Sequence, residues 1–78
     1  MMNPDFPKII HVAASPTYRL LLTFDNGETR VFTMDKLADK FGLKPVFLQA
    51  YVEDGEVHWP GSNLDIAPDG LYHGSELV

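Results

Sequence analysis

The chain has 78 residues and no cysteine, and its eleven acidic residues outnumber its six basic ones to give a net charge of −5. A chain of this length supports a single hydrophobic core, and the lack of cysteine excludes disulfides and thiolate metal sites. The lysines and arginines are scattered, with none after residue 44. Direct binding to nucleic acid or to an anionic membrane surface is therefore not expected, whereas a basic protein partner is electrostatically favoured.

The two ends of the chain are predicted to lie outside the folded domain. The first residues, MMNPDFPK, have neither a basic start nor an apolar run, so no signal peptide is predicted and we expect a cytoplasmic protein. Residues 1–7 are predicted as an extended lead-in, residues 8–72 as a single domain, and residues 73–78 as a flexible tail.

The first strand is predicted in KIIHVAAS, where Ile10, Val12 and Ala14 fall on one face. Residues 18–24 then alternate between two sides, a pattern typical of a half-buried strand. One side has Tyr18, Leu20, Leu22 and Phe24, and the other has Arg19, Leu21 and Thr23. These two segments predict an antiparallel pair joined at Pro16.

The sequence Asn26-Gly27 is a strong hairpin signal, because both residues tolerate the positive φ angles of a type I′ turn. TRVFTM follows it as the return strand. Residues 9–34 are therefore predicted to form a three-stranded antiparallel meander.

A short helix is predicted over KLADKFG, in which Leu37 and Phe41 lie at helical spacing. Thr33 or Asp35 is the expected N-cap, and Gly42 is the expected stop.

The second half of the chain contains another hairpin signal. Alternation over residues 46–53 predicts a strand, Asp54-Gly55 supplies the turn, and residues 57–59 are predicted to form the return strand. A helix over residues 46–50 is the alternative for the first part of this run. Pro68 is expected to open one helical turn.

These elements predict an α+β fold. It contains a small antiparallel sheet, made of a three-stranded meander plus a second hairpin, with one short helix and a C-terminal helical turn. The predicted core consists of Leu20, Leu22, Phe24, Phe32, Leu37, Phe41, Phe47 and Trp59.

No motif for catalysis or for a cofactor is found. The chain has no G-x-x-x-x-G-K-[ST] loop, no G-x-G-x-x-G and no G-x-S-x-G, so we expect no enzyme, no catalytic residues and no cofactor. The histidines, His11, His58 and His73, are not spaced as metal ligands on one element, and no metal site is predicted. The acidic pair Asp65 and Asp69 has structural explanations at a loop and at a helix start.

The segment EVHWPGSNLDIAPDGLY is the most distinctive part of the chain. A tryptophan in so small a protein favours a place in the core, while its alternative role is that of an aromatic anchor for a partner. The candidate interaction surface is Trp59, Pro60, Asn63, Asp65 and Tyr72, with the exposed loop from Pro60 to Asn63 at its centre.

Three segments, LLLTFDNGETRVFTM, DGEVHWP and LDIAPDGLY, resemble in that order the family known as domain of unknown function 2442 (DUF2442). The residues that carry the resemblance are Leu22, Phe24, Asp25, Gly27, Trp59, Pro60, Asp65, Ile66, Pro68, Leu71 and Tyr72. It extends over residues 8–72, and two departures are a longer loop after Trp59-Pro60 and a glycine at position 70.

The resemblance implies an α+β fold with a small antiparallel sheet, and it transfers no activity and no catalytic residues. Members of this family are mostly bacterial. Some have neighbours in arrangements similar to toxin–antitoxin pairs, in which they would be the antitoxin-like partner.

The leading hypothesis is a non-enzymatic protein-interaction module that binds another protein, a basic one encoded by an adjacent gene. One alternative is a small-ligand or metal-binding domain that uses the region Trp59–Tyr72, with His58 and Asp65 as polar contacts. The other is a self-associating structural module, a homo-oligomer formed through an exposed edge strand.

Overall fold

The computed structural model describes residues 7–78, with Asp65 described by its backbone alone, so nearly all of the predicted lead-in lies outside the described residues. The elements in chain order are β1 (Ile9–Ala14), β2 (Arg19–Phe24), β3 (Thr29–Thr33), α1 (Asp35–Lys40), a 3₁₀ helix (Lys44–Gln49), β4 (Tyr51–Glu53), β5 (Glu56–His58), β6 (Asp65–Ile66), α2 (Pro68–Gly74) and β7 (Glu76–Leu77).

Two antiparallel sheets are present in the described part of the chain. The first has the strand order β1-β2-β3-β7 and the second has the order β4-β5-β6. The predicted α+β class, the meander and the second hairpin are confirmed, and each sheet contains one further short strand, β7 in the first and β6 in the second.

A β-bulge in β1 changes which of its side chains face the core. Ile9 pairs with Phe24 and the next paired residue, His11, pairs with Thr23, so Ile10 is an extra residue on this strand. Ile9 is buried and Ile10 is 53% exposed. The predicted face is wrong at Ile10, because strict alternation carries no sign of an inserted residue.

The first hairpin turn has three residues rather than two. The Gly27 N–H donates to the Phe24 carbonyl at 3.0 Å, and the Phe24 N–H donates to the Glu28 carbonyl at 2.9 Å. Gly27 has a φ of +90° and Asn26 does not have a positive φ. The type I′ prediction is therefore wrong, because this pattern is that of a type I turn followed by a glycine bulge.

The turn of the second hairpin confirms its prediction. Asp54 and Gly55 have φ angles of 55° and 78°, and Glu53 pairs directly with Glu56. Two successive positive φ angles in a two-residue loop define a type I′ turn, whose twist matches that of the strands that it connects.

Tyr18 closes the loop between β1 and β2 in a left-handed conformation with a φ of 62°. Its ring packs edge-on against Phe47, with the ring centroids 5.2 Å apart, and its carbonyl accepts the Met34 N–H at 2.8 Å. A left-handed conformation costs a non-glycine residue about 1–2 kcal/mol. These contacts to the core and to the start of α1 offset that cost.

α1 begins without a side-chain cap and ends on a glycine. Its N-cap is Met34, which makes no side-chain cap bond, so the prediction of Thr33 or Asp35 as the cap is wrong. The stop at Gly42 is confirmed, since its φ is +67°. The following Leu43 N–H donates back to a carbonyl of the helix at 2.8 Å, as in a Schellman motif.

The helical alternative for the run after α1 is confirmed. Lys44–Gln49 form a 3₁₀ helix with Pro45 in its first turn, and the strand begins only at Tyr51. Phe47 points into the core, whereas Leu48 is 61% exposed. The alternation of this segment therefore came from a tight helix, which also places adjacent residues on different sides.

One cluster of buried side chains joins the two sheets and the helices. Its apolar members are Ile9, Leu20, Leu22, Phe24, Met34, Ala38, Leu43, Phe47, Val57, Trp59 and Leu71. Two residues of the predicted core, Phe32 and Leu37, pack against this cluster while half-buried. Phe41 was predicted to be in the core and is 47% exposed, because α1 ends before it.

The last residues differ from the predicted flexible tail, 73–78. α2 continues to Gly74, and β7 then pairs with β3 so that Leu77 lies opposite Arg30. The Val78 N–H donates to the Thr29 carbonyl at 2.9 Å. Strand pairing therefore extends to the end of the sequence.

The Arg30 side chain fastens this C-terminal segment to β3. Its Nε donates to the Ser75 hydroxyl at 2.8 Å, and its Nη2 donates to the Ser75 carbonyl at 3.1 Å. Its Nη1 pairs with Glu28 at 2.8 Å, and the guanidinium lies 4.4 Å from the centroid of the Tyr72 ring. Only the planar guanidinium of arginine, with its several donors, can make all of these contacts at the same time.

We predict opposite effects for two glycine-to-alanine changes in α2. A Cβ on Gly74 would lie 2.7 Å from Cε1 of Phe32, whereas a Cβ on Gly70 would have no neighbour within 4 Å. Gly70→Ala is expected to stabilise the fold by about 0.5 kcal/mol, because glycine weakens a helix. Gly74→Ala is expected to destabilise it by about 1–3 kcal/mol through overpacking. Urea unfolding measures both, and stabilisation by both variants would contradict the close approach of α2 to β3.

None of the helices formed by residues 7–78 is both long and apolar enough to cross a membrane.

Candidate functional site

Trp59 is part of the core and not of the predicted interaction surface. It is 1% exposed, and its ring stacks on that of Phe47 with the centroids 5.9 Å apart. Its indole N–H donates to the Phe47 carbonyl at 3.1 Å, which satisfies the one polar atom of the side chain. The interpretation of Trp59 as a core residue is confirmed, and its inclusion in the surface is corrected.

Tyr72 is also occupied by contacts within the fold. Its ring lies edge-on to that of the buried Phe24, with the centroids 5.1 Å apart, and the Arg30 guanidinium covers it. The side chain is half-buried. Tyr72 therefore serves to hold α2 against the first sheet.

The loop between β5 and β6 is short and internally bonded. The Ser62 N–H donates to the Trp59 carbonyl at 3.2 Å, and Gly61 has a φ of +74°, the arrangement of a type II turn with Pro60 at its first central position. The Ser62 hydroxyl accepts the Leu64 N–H at 3.1 Å. Pro60 stays exposed in this turn.

Two other members of the predicted surface border this loop. Asn63 is exposed, so it remains accessible together with Pro60. Asp65 pairs through its backbone with His58 in the second sheet, and its side chain lies outside the described part of the structure. The predicted surface thus combines two accessible loop residues with two rings that pack within the fold, the buried ring of Trp59 and the half-buried ring of Tyr72.

The second sheet has an outer face that the sequence interpretation did not single out. Val52 and Val57 turn towards the core. The residues that alternate with them, Tyr51, Glu53, Glu56 and His58, share the opposite side, and we refer to these four residues as the acidic face. The alternation of YVE and EVH around the turn is the signal from which this face could have been predicted.

Contacts within the acidic face hold its rings in place. The rings of Tyr51 and His58 stack with their centroids 5.7 Å apart and an angle of 26° between them. The His58 Nε2 lies 3.6 Å from a carboxylate oxygen of Glu56. Tyr51 is 43% exposed, so the stack offers one aromatic surface to solvent.

Among the described residues, no lysine or arginine forms an ion pair with the acidic face, whose one charged contact is the internal pair of His58 and Glu56. Glu53 lies directly opposite Glu56, and like charges in such a pair destabilise a sheet by about 0.2–1 kcal/mol. The side-chain carbons of Lys8 lie against the hairpin turn at Gly55, but no described acid is within ion-pair distance of Lys8. The chain has six acids and no lysine or arginine after residue 44, against five acids and six lysines and arginines in residues 1–44.

The described side chains contain no group of three or more His, Asp or Glu residues that could hold a metal ion. The metal-binding alternative involved His58, which contacts Tyr51 and Glu56, and Asp65, whose side chain is not described. What the arrangement can do is present two carboxylates and an aromatic ring to a cationic surface.

A family model described as "Protein of unknown function (DUF2442)" matches residues 9–76. Neither the curated proteins nor the solved structures contain a match to this chain. The matched range includes β1 to β6, both α-helices and the three segments on which the resemblance was based. Because the match extends over nearly the whole chain, this protein belongs to the DUF2442 family.

Proposed function

We propose that this protein is a non-enzymatic protein-interaction module that binds a basic protein partner through the acidic face. The observation that carries the proposal is the direct opposition of Glu53 and Glu56 beside an exposed aromatic stack. It lies in residues 45–78, the part of the chain that contains no lysine or arginine.

A cationic partner would gain from this surface in two ways. A lysine or arginine placed between Glu53 and Glu56 would replace a repulsion by two attractions. An arginine over the exposed Tyr51 ring would gain a cation–π contact of about 0.5–1 kcal/mol. The acids also raise the rate at which a basic protein encounters the surface.

The exposed loop gives the surface a second contact region. Glu53 and Glu56 adjoin the Asp54–Gly55 turn, whereas His58 leads directly into the loop that begins at Pro60. The type II turn presets the conformation of that loop, so little conformational entropy would be lost when a partner binds. The acidic face and the exposed residues Pro60 and Asn63 would form one continuous binding region.

We extend this proposal to the class of partner. The arrangement of some family members beside small neighbours favours an antitoxin-like role in the cytoplasm. The partner would then be a small basic protein encoded by an adjacent gene. Its positive charge would complement the negative charge of residues 45–78, which contain six acids and no lysine or arginine.

We predict that the double variant Glu53→Gln and Glu56→Gln binds the product of the adjacent gene about tenfold more weakly at low salt. The fold should be unchanged or slightly stabilised, because the repulsion between the two carboxylates is removed. Calorimetric titration at low and high salt, with urea unfolding of the variant, measures both effects.

The matched control is the double variant Asp69→Asn and Glu76→Gln, which changes the net charge by the same amount at two exposed positions outside the acidic face. This control should bind within about twofold of the parent. Equal losses in the two double variants, or wild-type binding that does not weaken with salt, would reject the acidic face as the binding region.

A further inference from the structure

A groove lies on the outer face of the first sheet, away from the acidic face. The strand register places Ala13 beside Leu21 and Leu21 beside Val31. Ala13 is exposed and Leu21 is 44% exposed, so this row faces solvent. The small Ala13 side chain next to larger neighbours produces a depression with an apolar floor.

The groove is open to solvent and has a volume of about 350 Å³, at the lower end of the roughly 300–1,000 Å³ typical of small-molecule sites. The apolar row forms one part of its lining, and Ser15, Thr17 and Arg19 form the other. The site thus combines an apolar floor with a polar end that carries one positive charge.

The guanidinium of Arg19 has its hydrogen-bond donors available. It makes no ion pair and no side-chain hydrogen bond with any described side chain, whereas Arg30 makes several. A guanidinium with its donors available binds a carboxylate through two parallel hydrogen bonds.

Two hydroxyl groups stand beside this cation. The Ser15 and Thr17 oxygens are 2.9 Å apart, and the Ser15 oxygen also accepts the Arg19 backbone N–H at 3.1 Å. The mutual bond of the two hydroxyls uses one of their two hydrogens. The other hydrogen is left to donate to an anionic ligand.

We propose that this groove binds a small aliphatic monocarboxylate. Its carboxylate pairs with Arg19 and accepts the remaining hydroxyl hydrogen of the Ser15–Thr17 pair, and its hydrocarbon body lies on Ala13, Leu21 and Val31. The groove has one cation and the protein has a net charge of −5, which disfavours ligands with several negative charges. The apolar floor favours a hydrocarbon chain over inorganic anions.

Titration with hexanoate, followed by ¹H–¹⁵N NMR, tests the proposal. We expect saturable shifts at the backbone amides of Ala13, Arg19, Leu21 and Val31, with a Kd of about 1 mM, as an open groove with one charge pair would give. Hexanamide, which has the same carbon chain and no charge, should bind at least about fivefold more weakly.

Two variants with the same change of charge separate the site from a general electrostatic effect. Arg19→Met should raise the hexanoate Kd about fivefold, and Lys36→Met, at an exposed position on α1, should leave it unchanged. Ala13→Leu should weaken binding by filling the groove, and its exposed position should leave the fold intact.

The absence of saturable shifts, shifts confined to other surfaces, or equal binding of hexanamide would overturn the proposal. So would an equal loss in Arg19→Met and Lys36→Met. Because this groove and the acidic face lie on different sheets, each can fail without affecting the other.

Discussion

Replacement of Trp59 by alanine is expected to destabilise the protein by about 3–5 kcal/mol. The ring is buried against Phe47, and its removal leaves a cavity and takes one of two donors from the Phe47 carbonyl, which keeps the Ala50 N–H. A domain of this length has a total free energy of unfolding of about 4–12 kcal/mol. We therefore expect the variant to be unfolded in part or in full at 37 °C.

Urea unfolding followed by circular dichroism measures this effect, since Trp59 is the only tryptophan and fluorescence is lost with it. Trp59→Phe is the informative partner variant. It keeps an aromatic ring but removes the N–H donor to the Phe47 carbonyl, and about 1–3 kcal/mol should be lost through the missing hydrogen bond and the smaller ring together.

Tyr51→Ala serves as the control on the acidic face. The Tyr51 ring is 43% exposed, so its loss should change the free energy of unfolding by less than about 1 kcal/mol. If Trp59→Ala is as mild as Tyr51→Ala, the Trp59 ring is not in the core and its assignment to an interaction surface is restored.

The second large effect is expected at Arg30, where methionine should cost about 2–3 kcal/mol. Methionine retains an apolar stem of similar length but removes the guanidinium that bonds to Ser75 and Glu28 and covers Tyr72. Arg30→Lys should lose most of the same energy, because an ammonium cannot make these planar contacts together.

The part of the fold that is destabilised in Arg30→Met can be located, in addition to the size of the loss in the free energy of unfolding. The Val78 amide, which donates to the Thr29 carbonyl, should lose hydrogen-exchange protection in Arg30→Met before the amides of β2 do. Arg19→Met is the matched control, since it removes an exposed arginine and should change stability by less than about 0.5 kcal/mol. Undiminished protection of Val78 would contradict the role of Arg30 in fastening β7.

Local patterns in the sequence predicted most of the first sheet. The alternation over residues 18–24 comes from a strand with one buried face, and Gly42 ends α1 because its backbone is left-handed. The Asp54-Gly55 turn of the second hairpin also formed as expected, because both of its residues adopt positive φ angles. In each case the cause lies within a few residues, so the pattern and the structure agree.

Errors arose where a neighbouring strand or helix decides the local conformation. The bulge at Ile10 depends on how β1 is paired with β2, and the three-residue turn at Asn26 depends on the twist of the strands that it joins. Phe41 has helical spacing but comes after the end of α1. None of these differences changes a residue's hydrophobicity, so periodicity alone cannot detect them.

The candidate site was located only in part from sequence. Pro60 and Asn63 were correctly expected to be exposed, because a Pro-Gly turn after a strand favours a surface loop. Trp59 was assigned to the same surface because it directly precedes Pro60 in the sequence. Glu53 and Glu56 were not singled out from the sequence, although their opposition across the strands creates the acidic face.

The α+β class, the meander, the second hairpin and the family could all be predicted from the sequence, since these depend on turn residues, alternation and the order of short motifs. Long-range packing, in contrast, makes Trp59 interior, forms a strand from residues 76–77 that Arg30 holds, and brings two glutamates to one face. Pairings between residues far apart in the chain are set by the packing of the whole core, and no local pattern records them.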